Sequence, residues 1–335
     1  MIEDLASSGI AVTSVAFAVA AMALFVLVRL ARRTGLVDDG RDAPERKTQA
    51  RAVPLAGGPA LFVAGLVLVA LESSTHAWSL ANLAPSDSGA IFRFERGALT
   101  LALLLAFATG LVDDLAPRGL TPLAKLLGQF AAGCALANGL VVDGEPTSFF
   151  ERAFVALLAV IAQNVANTFD HADGTLGSLA FVGCLGARAP FAGAIAAFLG
   201  ANLARPARGG APYAYLGDSG SHVLGILLLA TPAGQAALTL PAIDLVRVVW
   251  MRVRAGDPIW RGDRRHLGQR LAAAGRSPTR VVLLVLVCAA PAFLAFFAAD
   301  VPGGMGRLAA FLAGAAGSTL VLGLVLRLHP APSAA

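Results

Sequence analysis

Asn164-Val165-Ala166-Asn167-Thr168-Phe169-Asp170-His171-Ala172-Asp173-Gly174 gathers two amides, two carboxylates and an imidazole between the apolar stretches Ala153 to Gln163 and Leu176 to Gly186. Charged groups at membrane depth are costly, so they mark a site more often than a packing contact. Asn167, Asp170 and Asp173 recur every third residue, and a helix continuing through them carries all three on roughly one side. Oxygen donors at the rim of a bilayer suit a hard cation or a polar head group.

The rest of the chain agrees with a bilayer setting. Of 335 residues, 57% are hydrophobic and 14% charged, against about 25% charged in soluble domains. Uncharged runs cover 5–28, 52–71, 97–112, 126–142, 153–169, 281–299 and 308–326. With their flanks most reach the roughly 20 residues of a transmembrane helix. Arg29, Arg32 and Arg33 follow the first run instead of preceding it, so it is expected as a retained first helix and not a cleaved leader. Cys134, Cys184 and Cys288 all fall in apolar runs without metal-ligand spacing and are expected as buried small hydrophobes.

Loops 29–54, 113–125, 205–218 and 247–280 with the C-terminus hold 21 of the 26 Lys and Arg. By the positive-inside rule that side is cytoplasmic and the N-terminus lies outside. The expected fold is all-α, a polytopic membrane protein of about 10–11 transmembrane helices in one integral membrane domain over 1–335. Active-site loops at about 31–53, 113–125, 164–175, 205–221 and 252–280 then share the cytoplasmic face. Only 28 residues, 177–204, separate the opening cluster from the next basic loop, too few for two full spans. A hairpin of two short helices is expected there, breaking near Gly186 to Pro190, with a second short hairpin broken at Thr231-Pro232. The +5 charge is not a nucleic-acid signal: there are 2 lysines and no basic run interleaved with aromatics.

Polar groups recur at the cytoplasmic ends. Gly110-Leu111-Val112-Asp113-Asp114 puts adjacent carboxylates at a helix C-terminus, where the macrodipole disfavours them. Thr121-Pro122 reads as N-cap and first helical residue, with Lys125 and Gln129 one turn apart behind it. Arg46-Lys47 lies in the first cytoplasmic loop, either setting topology or meeting anionic phosphate. Tyr215-Leu216-Gly217-Asp218-Ser219-Gly220-Ser221 follows the third basic loop. Asp244 lies within a helix near Arg247, and Asp263-Arg264-Arg265-His266 sits in the last basic loop.

Taken in order and on one face, Gly110-x-x-Asp113-Asp114, Lys125 with Gln129, Asn164-x-x-Asn167-x-x-Asp170-x-x-Asp173-Gly174 and Gly217-Asp218-x-Gly220-Ser221 resemble the polyprenyl-phosphate N-acetylhexosamine-1-phosphate transferases. Pro54 with Gly57-Gly58, Pro241-x-x-Asp244 and Asp263-Arg264-x-His266 extend the resemblance over roughly residues 36–300. It implies transfer of a sugar-1-phosphate from a UDP-sugar to polyprenyl (undecaprenyl) phosphate, with release of UMP, at the cytoplasmic face of a bacterial inner membrane in cell-envelope glycan synthesis. It further implies Mg²⁺, with Mn²⁺ as the alternative, held by Asp218 and Asp113. Catalytic roles are implied for Asp113, Asp114, Asp170, Asp173 and His266. Substrate contacts are implied for Arg46, Lys47, Lys125, Asn167, His171, Tyr215, Asp263 and Arg264. Expected partners are the UDP-sugar, the polyprenyl phosphate and the bilayer; a homodimer is left open.

The chain departs from the family pattern at several positions. His171 stands where the family usually has Gly, Gly268 and Gln269 replace two later histidines, and Gln49 replaces a His. Asn202 lies about six residues upstream of the position it resembles. These departures motivate a rival reading, a homologue that binds lipid phosphate or nucleotide without turnover. A second rival is a transporter, which would put charges near mid-span; here they gather at helix ends.

Overall fold

The computed structural model describes residues 9–38, 52–75, 93–116, 118–142, 145–187, 189–205, 210–259, 264–298 and 304–330. Arg46, Lys47, Gln49 and Asp263 lie outside the described residues. The architecture is all-α. The helices are α1 (Gly9–Thr34), α2 (Gly57–Thr75), α3 (Arg96–Leu115), α4 (Pro122–Asn138), α5 (Phe149–Phe169), α6 (Thr175–Gly186), α7 (Phe191–Leu203), α8 (Gly217–Leu229), α9 (Pro232–Ala255), α10 (Leu267–Ala273), α11 (Pro278–Ala298) and α12 (Gly304–Leu328). Among the described residues, α1, α3, α5, α11 and the Leu308–Leu328 part of α12 are long and apolar enough to cross a membrane, which makes this a multi-pass membrane protein. α6 and α7 are shorter apolar helices.

Both hairpins break where expected, although the second arm of the second one, α9, is 24 residues long and not short. α6 ends at Gly186 and α7 starts at Phe191. α8 ends at Leu229, and Thr231 caps α9 by accepting from Gly234 N at 3.1 Å, with Pro232 as its first residue. Proline there gives up no hydrogen bond, because the first N–H groups of a helix have no intrahelical partner. The same local chemistry starts α4, where Thr121 accepts from Ala124 N, and α5, where Ser148 and Glu151 form a reciprocal capping box. One helix was not foreseen: the short α10 inside the last basic loop.

α8 is the hub. Every residue from Ser219 to Leu229 is buried, and α2, α3, α5 and α9 pack around it. α4 bridges α3 and α5, α1 lies on α2 and α7, and α11 pairs with α12 at the periphery. Lipid tails are as apolar as leucine, so close packing must hold such helices together. The many buried alanines, among them Ala60, Ala64, Ala102, Ala106, Ala159 and Ala162, allow that close approach. Cys184 and Cys288 are buried as expected, whereas Cys134 is on the exposed face of α4.

Two small antiparallel sheets cap opposite ends of the helices. β1 (Val37–Asp38) pairs with β2 (Val53–Pro54), and β3 (Arg93–Phe94), β4 (Leu140–Val142) and β5 (Glu145–Pro146) form the other sheet. The first sheet meets the segment leading into α8. Tyr215 N donates to Pro54 O at 2.9 Å, Gly57 N to Tyr215 O at 2.9 Å and Gly58 N to Leu216 O at 2.8 Å. This backbone zipper joins the start of α2 to the start of α8.

Candidate active site

The C-terminal end of α3 and the N-terminal ends of α4 and α8 converge. Lys125 Nζ lies between two carboxylates, paired with Asp218 and 3.3 Å from Asp113 Oδ2. Asp113 also accepts from Leu120 N at 2.7 Å, which fixes the α3–α4 turn. Asp114 points to α8 and accepts from Asp218 N at 2.8 Å and Ser219 N at 3.0 Å. These are orphan amides of a helix N-terminus, where the macrodipole also favours an anion. The adjacent carboxylates, unfavourable on their own helix, are thus used in different ways: Asp113 faces the lysine and Asp114 caps α8. Gly217 has φ +74°, and a Cβ there would fall 2.6 Å from Asp114 Oδ2. The Gly217-Asp218 pair follows from that cap, because only glycine fits beneath the Asp114 carboxylate.

The opening stretch is not one continuous helix. α5 stops at Phe169, Asp170 is its C-cap, and residues 171–174 form a tight turn closed by Gly174 at φ +75°. Asn167, Asp170 and Asp173 therefore do not share a helical face, a correction to the expectation from spacing. Asn202 holds the turn: its Oδ1 accepts from Gly174 N at 2.6 Å while its Nδ2 donates to Ala214 O at 2.9 Å. Buried Asn202 so joins the Asp170 turn to the segment entering α8. Asn167 remains on α5, beside Asp218, and donates to Ser221 Oγ at 3.3 Å. Burial, then the carboxylates of Asp218, Asp173 and Asp114, push the Asp170 carboxyl well above the usual carboxylate range. Asp173 pairs with Arg205, and burial still raises its pKa despite that guanidinium. Tyr215 is half-buried, and burial followed by Asp173 and Asp38 raises its phenol.

His171 turns away from these groups. Its Nδ1 is 2.5 Å from Thr168 O, and its ring lies 4.7 Å, centroid to centroid, from that of His266. His266 Nδ1 is 2.9 Å from Asp244 Oδ2, which also accepts from Leu267 N at 3.2 Å. Asp244 Oδ1 takes Arg247 at 3.1 and 2.7 Å. Burial, reinforced by His266 and Arg247, holds the His171 imidazole down at about 4. Gly268 explains the fit: a Cβ on it would meet Ala172 Cβ at 2.8 Å and His171 Nε2 at 3.4 Å. α10 can therefore lie directly on the Asp170 turn, and the His171 ring fills the space beside it. Arg264 is exposed.

The structure thus brings together Asp113, Asp114, Lys125, Asn167, Asp170 and Asp218, with Asp173 and Tyr215 beside them. It puts His171 and His266 in an adjoining buried cluster. Arg205, Asn202 and Asp244 belong to the supporting framework. Arg205 carried no sequence signal beyond its place in a basic loop. Among the described residues there is no preformed group of three or more metal-type side chains.

No family model matches the sequence. Individual relatives do. The chain is 27% identical over 316 residues to a decaprenyl-phosphate N-acetylglucosaminephosphotransferase of Mycobacterium tuberculosis, covering 76% of this chain and 74% of that one. It is 26% identical over 301 residues to the Mycobacterium leprae protein of the same name, covering 72% of each. It is 30% identical over 305 residues, 81% of both chains, to an undecaprenyl-phosphate α-N-acetylglucosaminyl 1-phosphate transferase of Haemophilus influenzae. With 30% identity over 81% of both chains, the chain belongs to the polyprenyl-phosphate N-acetylhexosamine-1-phosphate transferase family.

Proposed function

We propose that this protein transfers an N-acetylhexosamine-1-phosphate from a UDP-sugar to polyprenyl phosphate at the cytoplasmic face of a bacterial inner membrane. An oxygen of the lipid phosphate attacks the β-phosphorus of the donor. The bond from that phosphorus to the bridging oxygen breaks, and UMP leaves with the oxygen. The products are lipid-diphosphate-sugar and UMP. Transfer of this kind depends on positioning and charge neutralisation more than on covalent chemistry by the protein.

The observation that carries this reading is the charge balance at the helix ends. Asp113 and Asp218 converge on one ammonium, Lys125, while Asp114 caps α8 at the Asp218 amide and Asp170 lies close enough to Asp218 and Asp114 to feel their charge. Such crowding of carboxylates calls for a cation. Asp113 and Asp218 already converge on one positive group, and Mg²⁺ takes one or two carboxylates with phosphate oxygens supplying the rest. The residues therefore fit Mg²⁺, with Asp218 and Asp113 as its holders and Mn²⁺ as the alternative. When bound, the metal neutralises charge on the diphosphate. Lys125, released from one carboxylate, neutralises a phosphate oxygen. Asn167 and Asp170 face the same space from α5. Asp114 keeps Asp218 in place through the α8 cap. Tyr215, with Asp173 and Arg205 beside it, lines the side on which the nucleotide of the donor is expected.

The test is direct. Purified protein in detergent or nanodiscs is given undecaprenyl phosphate, Mg²⁺ and a panel of UDP-sugars, and UMP release is measured. Release from at least one donor, abolished by chelation, is the expected result. No UMP from any donor would remove the catalytic reading and leave a binding homologue.

A further inference from the structure

One turn deeper than the reactive cluster lies a second polar layer that the proposed reaction leaves unused. Each of three helices repeats a polar side chain on the same face. On α4, Gln129 follows Lys125 by four residues; on α8, His222 follows Asp218 by four; on α5, Asn164 precedes Asn167 by three. Such spacings stack the members of each pair along one side of a helix. Gln129 is 1% exposed and His222 is 0% exposed, so this layer does not face a ligand.

The three side chains are joined. Asn164 Nδ2 donates to Gln129 Oε1 at 2.7 Å, and Gln129 Nε2 lies 3.4 Å from Asn164 Oδ1, an amide-to-amide pair. The Gln129 Nε2 also reaches His222 Nε2 at 3.2 Å. An amide nitrogen only donates, so His222 must offer a lone pair at Nε2 and stay neutral. Gln163, next to Asn164, donates to Gln129 O at 3.1 Å and so adds a second α5 contact to α4. Apolar packing between membrane helices tolerates sliding and rotation, whereas paired donors and acceptors fix both.

We infer that His222 is a positioning residue for the reactive cluster. By accepting from Gln129 it sets the depth and rotation of α4 against α8. Through the amide pair it extends that register to α5. Lys125 and Asn167 then stand at the distance from Asp218 that the reaction uses. The inference rests on reading the cluster above as the reactive site, but its geometric part stands apart from activity.

The experiment compares the full chain with His222→Leu, which removes the acceptor, and His222→Gln, whose Oε1 keeps one. UMP release, melting temperature and the distance between spin labels at Leu126 on α4 and Ile161 on α5 are measured, the labels in a background without the native cysteines. Misplacement on the ångström scale costs about 10- to 100-fold in rate. His222→Leu is expected to lose that much kcat, with donor KM within about 3-fold and a broadened distance distribution. His222→Gln is expected to recover most of the rate and the narrow distribution. Unchanged kcat with unchanged distances in His222→Leu overturns the inference. So does a rate loss that follows only the loss of folded protein, with glutamine giving no rescue. A wild-type chain that releases no UMP removes the proposed reaction, while the label distances still decide the positioning role.

Discussion

Two polar clusters meet at the Asp170 turn, and they are built on opposite principles. On one side, Asp113 and Asp218 share one lysine with Asp114 and Asp170 close by, and burial with mutual repulsion raises Asp170. On the other, the single carboxylate of Asp244 is fully buried and accepts hydrogen bonds from Arg247, His266 and the Leu267 amide. The first cluster has charge left over; the second has its charges matched. Unmatched charge is a mark of ligand sites in general, whereas balanced charge joins elements of a protein. Here the balanced cluster holds α10 and the last basic loop against the turn that the unbalanced one uses. His171 sits at the seam, with its ring in the matched cluster and its backbone beside Asp170.

Substitutions in either cluster separate the two roles. The largest effect is expected from Asp244→Ala. Removing one partner of a buried ionic network costs about 3–5 kcal/mol, so the melting temperature in detergent should fall sharply and the folded yield with it. An unchanged melting temperature with turnover alone reduced would move Asp244 into the reactive cluster. Next comes Asp218→Asn, for which kcat for UMP release should fall roughly 10²- to 10³-fold with little change in melting temperature. Retention of the full rate would make the acidic cluster structural as well. Asp114→Ala should come third, losing the α8 cap at about 1 kcal/mol, seen as a lower melting temperature together with a partial loss of rate.

A weaker, pH-dependent effect is expected at His171. Above about 6.5 the His171 imidazole is neutral whether the chain is folded or unfolded. Between about 6.5 and about 4 the unfolded chain takes up a proton that the folded chain refuses. Stability is therefore lost as pH falls through that window. Melting temperatures of the wild type and His171→Asn, compared at pH 7 and pH 4.5, should diverge less at the lower pH. The wild type loses this contribution and the variant has none to lose. A constant difference between the two would mean that His171 titrates normally and is not buried as described.

Much of this was legible in the sequence because its causes are local. The Thr121-Pro122 and Thr231-Pro232 starts, the break after Gly186 and the pairing of Asp244 with Arg247 each depend on residues within a few positions of one another. The apolar runs and the gathering of acids at their ends needed only counting. Other features were hidden because their causes are distant in the chain. The turn at Asp170 breaks the every-third-residue spacing, and the side chain binding it is Asn202, 28 residues away. His222 follows directly on the Gly217–Ser221 motif yet carried no signal, since its partner Gln129 comes from another helix.

Read along the chain alone, the residues are enough to specify an all-α membrane protein whose acidic groups gather at helix ends. Hydrophobic run length and helix-terminus chemistry are read along the chain, so a linear reading captures them. How the like residues divide depends on packing between helices distant in the chain. Asp113 and Asp114 are neighbours, yet one faces a lysine and the other caps a helix more than a hundred residues on. His171 is accommodated by the bare backbone of Gly268. What a carboxylate or an imidazole does is set by the charges and donors that packing brings within a few ångströms, and those come from helices whose order in the chain gives no measure of their distance in space.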